Sequence, residues 1–146
     1  MRRSQTGFTM IELMIVVVII GILAAVAIAN YIAMQNRAKE GSTKANMHTF
    51  QLAAEDYATQ NDGSYASTAA TVSTMLSSGG AKFKNPFDKT LGSGNAWLDV
   101  ATWANPLATG STRAGLVVYS DSSNVQYRIA GRGKSADLAI QLTSGQ

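Results

Sequence analysis

The chain has 146 residues and contains no cysteine, one histidine and two prolines; charged residues make up only 14% of it. Without cysteine there are no disulfides, thiolate nucleophiles or cysteine-based metal sites. A domain exported in that condition is held by its core, by a bound ion or by its neighbours. The lone histidine, His48, would have to serve any Ser/His/Asp set alone. It falls on a helical face (Ala38, Gly41, Ala45, His48) that reads as buried or partner-facing, so packing or a hydrogen bond is its expected role. Glu55 and Asp56 are adjacent, diverge on a helix and make no carboxylate pair. Gly133-Lys134-Ser135 resembles the end of a phosphate loop. The glycine required five positions earlier is Arg128, however, and a strand rather than a helix is expected to follow. The sequence points to no enzyme.

Positive charge is also scarcer than the net value of +3 implies, because Arg2 and Arg3 sit in a short leader. Without them 10 basic residues face 9 acidic ones, so no nucleic-acid patch is evident from composition.

What the chain does have is one long apolar run. Leu13 to Ala29 is 17 residues without a charged or strongly polar side chain, with Glu12 at its leading edge. Phe8 to Met34 spans 27 residues, about 40 Å as a helix, enough to cross a bilayer with tilt. Composition leaves open a secretory signal, since Ala25-Val26-Ala27 and Ala27-Ile28-Ala29 fit small-residue cleavage patterns, or a plain single-pass anchor. A twin-arginine signal fits poorly, because Ser-Gln-Thr-Gly follows Arg2-Arg3. Arg37, Lys39 and Lys44 beyond the run nearly balance the leader, so charge barely decides orientation. Gly21, Ala25, Ala29 and Ala33 recur every four residues, a strip along which helix backbones can approach closely.

The stretch Gly7-Phe8-Thr9-Met10-Ile11-Glu12-Leu13 and the apolar residues behind it closely resemble the N-terminus of type IV prepilins and pseudopilins. The resemblance implies cleavage between Gly7 and Phe8 by a prepilin peptidase, N-methylation at Phe8, and an assembly role for Glu12, with Gly21, Ala25 and Ala29 at the packing strip. A carboxylate in an apolar helix costs roughly 2.5–3.5 kcal/mol on insertion scales, so Glu12 needs a partner. The new ammonium at Phe8, in the same chain or a neighbour, would attract it by about 4 kcal/mol at ~4 Å and an effective dielectric near 20, before desolvation. The resemblance further implies a homo-oligomeric helical filament, an inner-membrane platform protein and an assembly ATPase. The chain would sit in the inner membrane with its C-terminal domain periplasmic, then move to a surface pilus or to a periplasmic pseudopilus acting as a secretion piston. Major pseudopilins of type II secretion bind calcium near the C-terminus. Asp121 and Asp137 are the weak candidates here, beside oxygen ligands Ser123 and Asn124, and no dense acidic loop stands out. The absent cysteine pair leans toward pseudopilins. The absence of a proline near Ala29, and of acidic proline-containing sheet motifs, leans the other way.

The expected fold is α+β and type IV pilin-like, a long N-terminal helix packed on a small antiparallel sheet. Residues 1–7 form the leader, 8–34 the transmembrane and filament-core half of the helix, and 35–146 the globular domain with an amphipathic half at 35–60. Met47, Phe50, Ala54 and Tyr57 recur at helical spacing and mark the buried stripe. One helix is expected from about Thr9 to Gln60, with Gly41 a soft point and Asn61-Asp62-Gly63-Ser64 its stop. Thr68–Leu76 reads as short helix or loop, and Ser77–Gly80 as a break. Residues 82–106 read as irregular, punctuated by Asn85-Pro86, Gly92-Ser93-Gly94 and Asn105-Pro106 and anchored by Phe83, Phe87, Trp97 and Trp103. Strands are expected at Ala114–Ser120, Asn124–Ala130 and Asp137–Leu142, within a sheet at about 114–142. Val125, Tyr127, Ile129 and Leu138, Ile140, Leu142 should alternate inward.

Overall fold

The structure, a computed structural model, describes residues 7–100, 103 and 113–145. Met1–Thr6, including Arg2 and Arg3, and the Asn105-Pro106 punctuation lie outside the described residues. The chain divides into two compact units, Met1–Asn36 and Arg37–Gln146.

In the first unit, the described residues from Met10 onward are helical and belong to α1 (Met10–Gln60). The segment buries nothing, so it is shaped by local hydrogen bonds and propensity alone. Thr9 and Glu12 close its first turn reciprocally.

The second unit forms where the hydrophobic pattern turns amphipathic. Thr43, Met47, Phe50, Ala54 and Ala58 repeat at helical spacing and all are buried on one side of α1. The helix stops where expected. Asp62 and Gly63 take the left-handed conformation, the Gly63 amide donates to the Ala58 carbonyl at 2.9 Å, and the Asn61 side chain donates to the Tyr57 carbonyl. Gly41 does not interrupt the helix. Thr68–Leu76 resolves into α2 (Ala69–Thr74), capped by the Thr68 hydroxyl and by Asp99 Oδ1, which accepts from the Ala69 amide at 2.8 Å. A 3-10 turn follows at Ser77–Gly80.

The sheet has four strands in the order β1 (Trp97–Asp99), β2 (Val117–Ser122), β3 (Gln126–Arg132) and β4 (Asp137–Thr143). β2, β3 and β4 are antiparallel neighbours, as expected, with boundaries shifted by up to three residues. β1 was read as part of an irregular connection. It lies parallel to β2, Trp97 opposite Val117, which makes the sheet mixed. Asp121 and Ser122 were read as turn residues but extend β2, because the reversal is made by left-handed Ser123 and Asn124 one step later. That shift leaves Val125 outside the strand and 69% exposed, not inward as its alternation implied. Likewise Gly131 and Arg132 continue β3 rather than turn.

The core lies between α1 and one face of the sheet. Phe50 sits at its centre, with ring centroids of Phe83, Trp97 and Tyr119 at 5.7, 6.0 and 6.3 Å, and Val117, Tyr127, Ile129 and Leu142 close it. Leu138 and Ile140 pack on its edge, half-buried. β2 is buried on its other face too, where Leu116, Val118, Ala130 and Val100 cluster. Close approach constrains several glycines, and two of them bear on the core and its loops. At Gly131 an added Cβ would lie 2.5 Å from Met47 Sδ, and at Gly115, with φ of +83°, it would collide with Asn85 Oδ1. Asn85 is wholly buried. Its Nδ2 donates to the Asn95 and Ala114 carbonyls and its Oδ1 accepts from the Phe87 amide, so it fastens the 85–95 loop to the start of β2.

Candidate assembly segment

The segment begins just before the helix. Gly7 and Phe8 precede the helix, both exposed, Phe8 to 85%. Thr9 is the cap. Its amide and its hydroxyl both donate to Glu12 Oε2, at 2.9 and 2.7 Å, while the Glu12 amide donates back to Thr9 Oγ1 at 3.3 Å. This is a capping box, in which the third helical residue and the cap satisfy each other's free amides. Its Thr-x-x-Glu signature is legible in the sequence, where Glu12 was assigned only to an ammonium. The two bonds fall on Oε2, and no described residue donates to Oε1.

Behind the cap, α1 is apolar and uncovered. Ile11, Met14, Val18, Ile22, Val26 and Tyr31 are each at least 60% exposed. An 18-residue window of this helix meets the length and composition needed to cross a membrane, with none of it buried inside the molecule. Gly21, Ala25 and Ala29 are exposed as well, and a Cβ placed on Gly21 would meet nothing within 4 Å. The geometry therefore leaves both the bulky and the small faces open to an outside partner.

The other candidate residues lie on the folded unit, where His48 makes the side-chain hydrogen bond that was one of its expected roles. His48 is exposed rather than buried, with Nδ1 3.2 Å from Gln51 Oε1; Gly41 and Ala45 on its face are exposed too. The weak calcium candidates do not converge. Asp121 pairs with Tyr127 across the sheet and Asp137 with Arg132, five residues apart along β3, or about 17 Å at the usual rise. Asp121 Oδ2 accepts from the Asn124 amide, and Asp137 is paired with Arg132. Among the described residues no three His, Asp or Glu side chains gather in one place. Gly133 and Lys134 lie in the β3–β4 turn. The turn is held by Glu40, whose Oε1 accepts the Lys134 amide at 3.0 Å.

A polar knot that the sequence reading missed joins α1 to the sheet. Glu55 accepts from the Tyr127 hydroxyl at 2.6 Å and the Tyr65 hydroxyl at 3.1 Å, and the Tyr65 and Tyr127 rings meet edge to face at 4.9 Å. Burial, then the Glu55 carboxylate, pushes both phenols above their ordinary value; burial, then the Asp121 charge, does so at Tyr119. No local motif announces a triad separated by this much sequence.

Residues 2–28 match the prokaryotic N-terminal methylation motif. The chain is 50% identical over 56 residues to the type IV major pilin protein PilA of Myxococcus xanthus, which is 38% of this chain and 26% of that relative. It is 40% identical over 60 residues to type II secretion system core protein G of Pseudomonas aeruginosa, 41% of this chain and 42% of the relative. It is 40% identical over 76 residues to the type IV wide pilus major component PilA4 of Thermus thermophilus, 52% of this chain and 58% of the relative. The aligned stretches thus span less than two thirds of each relative's own length. No solved structure matches the chain.

Proposed function

We propose that this chain, which opens on a methylation motif shared with pilins and a secretion-system core protein, is a structural subunit of a type IV pilus-like filament. In this reading a prepilin peptidase cuts between Gly7 and Phe8, and Phe8 is N-methylated. Residues 8–34 hold the subunit in the bacterial inner membrane, its C-terminal unit periplasmic, until a platform protein and ATPase drive its transfer into the polymer. The observation that carries the proposal is the uncovered apolar surface of α1 from Met10 to Met34. So large a surface is stable only in lipid or against other copies, and a filament subunit uses each in turn.

Glu12 supplies register. Thr9 occupies one carboxylate oxygen, leaving the other for the Phe8 ammonium of a neighbour. Gly21, Ala25 and Ala29 let the rods approach at the filament centre. Mass spectrometry of the mature protein tests the processing: it should begin at Phe8 and carry one added methyl group. A start at Ile28 or Asn30 would mark an ordinary secreted protein and sink the filament reading. Glu12→Leu should abolish assembly, and filaments of wild-type abundance would remove the register role.

Similarity to the type II secretion core protein supports a second reading, a pseudopilin working as a periplasmic piston for protein export. Deleting the gene and scoring surface fibres beside secreted protein separates the two.

A further inference from the structure

We propose that the end of the folded unit containing the first turns of α1 after Met34 docks onto anionic phospholipid headgroups. The proposal rests on reading residues 8–34 as a membrane span. Three elements bring cations to this end. Arg37 and Lys44 are exposed on α1, with half-buried Lys39 between them. The loop at 83–91 is tied beside them by the Asn46 side chain, which donates to the Lys84 carbonyl at 2.9 Å, and by Lys39 Nζ, 5.6 Å from the Phe87 ring centre. It presents exposed Lys84 and Lys89. The β3–β4 turn is drawn to the same place through Glu40 and presents exposed Lys134.

The carboxylates here are turned to internal partners. Glu40 receives the Lys134 amide, and Asp88 receives the Thr90 amide and hydroxyl and pairs with Arg113. Asp137, beside the same turn, is paired with Arg132, and Glu55, Asp56 and Asp62 come later, at the C-terminal end of the helix and its turn. Arg37 follows Met34, the last residue of the proposed span, by three positions, which is where a span leaves the hydrocarbon and meets headgroups. A membrane surface fits cations spread around a helix on three elements. Nucleic acid fits less well, because Phe83 packs into the core and Phe87 has Lys39 Nζ over its ring, which leaves the patch without a freely presented aromatic platform for bases.

The test uses the full chain, whose lack of cysteine permits single fluorescent labels at Ser135→Cys, beside Lys134, or Ser123→Cys, at the far turn. The protein is reconstituted into vesicles of phosphatidylcholine alone or with phosphatidylglycerol, each bearing nitroxide headgroup lipid. Quenching of the Ser135 label should rise in the anionic vesicles, fall in high salt, and fall about fivefold in apparent partition for each of Lys84→Gln, Lys89→Gln and Lys134→Gln. The Ser123 label should not respond. Equal quenching in both lipids, or indifference to the three substitutions, overturns the proposal. So does protection of the Ser135 label that depends on protein density rather than lipid charge, which would make the partner a second copy, or tighter binding of a DNA duplex than of anionic vesicles. If alkali strips the protein from both vesicle types, the span itself is disproved and this proposal falls with it. Unaltered circular dichroism of each variant shows that lost quenching is not lost folding.

Discussion

At the residue scale, the start of α1 is closed by two side chains, Thr9 and Glu12. Thr9→Ala keeps the amide that donates to Glu12 but removes the hydroxyl bond to Oε2 and the acceptor for the Glu12 amide. The helix start should weaken by about 1 kcal/mol. In detergent, amide exchange at residues 10–14 should quicken, and Thr9→Ser should restore it. The buried phenols give a second expectation. Their folded ionisation lies above the ordinary value near 10, so their contribution to stability is fully present below that pH and is lost as pH rises further and the unfolded chain ionises first. The phenolate absorbance of Tyr119 and Tyr127 should therefore appear only together with loss of circular dichroism, and Tyr127→Phe should flatten the alkaline decline. Single residues were unevenly legible. Glu12 stands out because a carboxylate beside an apolar run is anomalous wherever it occurs. Glu55 and Asn85 look like any surface polar residue until the fold brings Tyr127 and Ala114 to them.

At the scale of elements, α1 was legible from end to end, since both its apolar and amphipathic halves share one period and the Asn-Asp-Gly stop is local chemistry. β1 was not. It is three residues long, follows two glycines, and exists because β2 offers a parallel edge twenty residues later. Turn placement failed by one step at Val125 because Ser123 and Asn124, neither a glycine, hold the left-handed positions. The joint between α1 and β3 can be tested directly. Gly131→Ala sets a methyl carbon 2.5 Å from Met47 Sδ and 3.1 Å from Leu138 Cδ1, and should cost about 1–3 kcal/mol by urea denaturation. Met47→Ala opens the same space, so the double variant should be less destabilised than the sum of the two, a coupling that separate sites would not show.

At the scale of the whole molecule, two units with opposite solvent preferences share one helix. The second has its own core and half-buried polar knot, and none of the first unit's described residues enters that core. Removing residues 1–36 should therefore leave a soluble monomer that unfolds cooperatively with its tryptophan emission intact. The full chain should need detergent or vesicles to stay dispersed. Loss of cooperative unfolding in the shortened chain would show that the first unit does more than anchor.

The buried face of α1 has a consequence in time. Phe50 waits for Phe83, Trp97 and Tyr119, Met47 for Gly131, and Glu55 for Tyr127. Every partner is made later than the residue it covers, and Leu142 is among the last to arrive. As the chain emerges, the apolar run is complete long before the sheet that shelters the next stretch of helix. Under the proposed function, the subunit is thus committed to its membrane while its domain is still an open chain. Until β3 and β4 arrive, the stripe from Met47 to Tyr57 stands bare, a window in which exported chains meet holding chaperones or aggregate. Closure of the hairpin onto Glu40 ends that window.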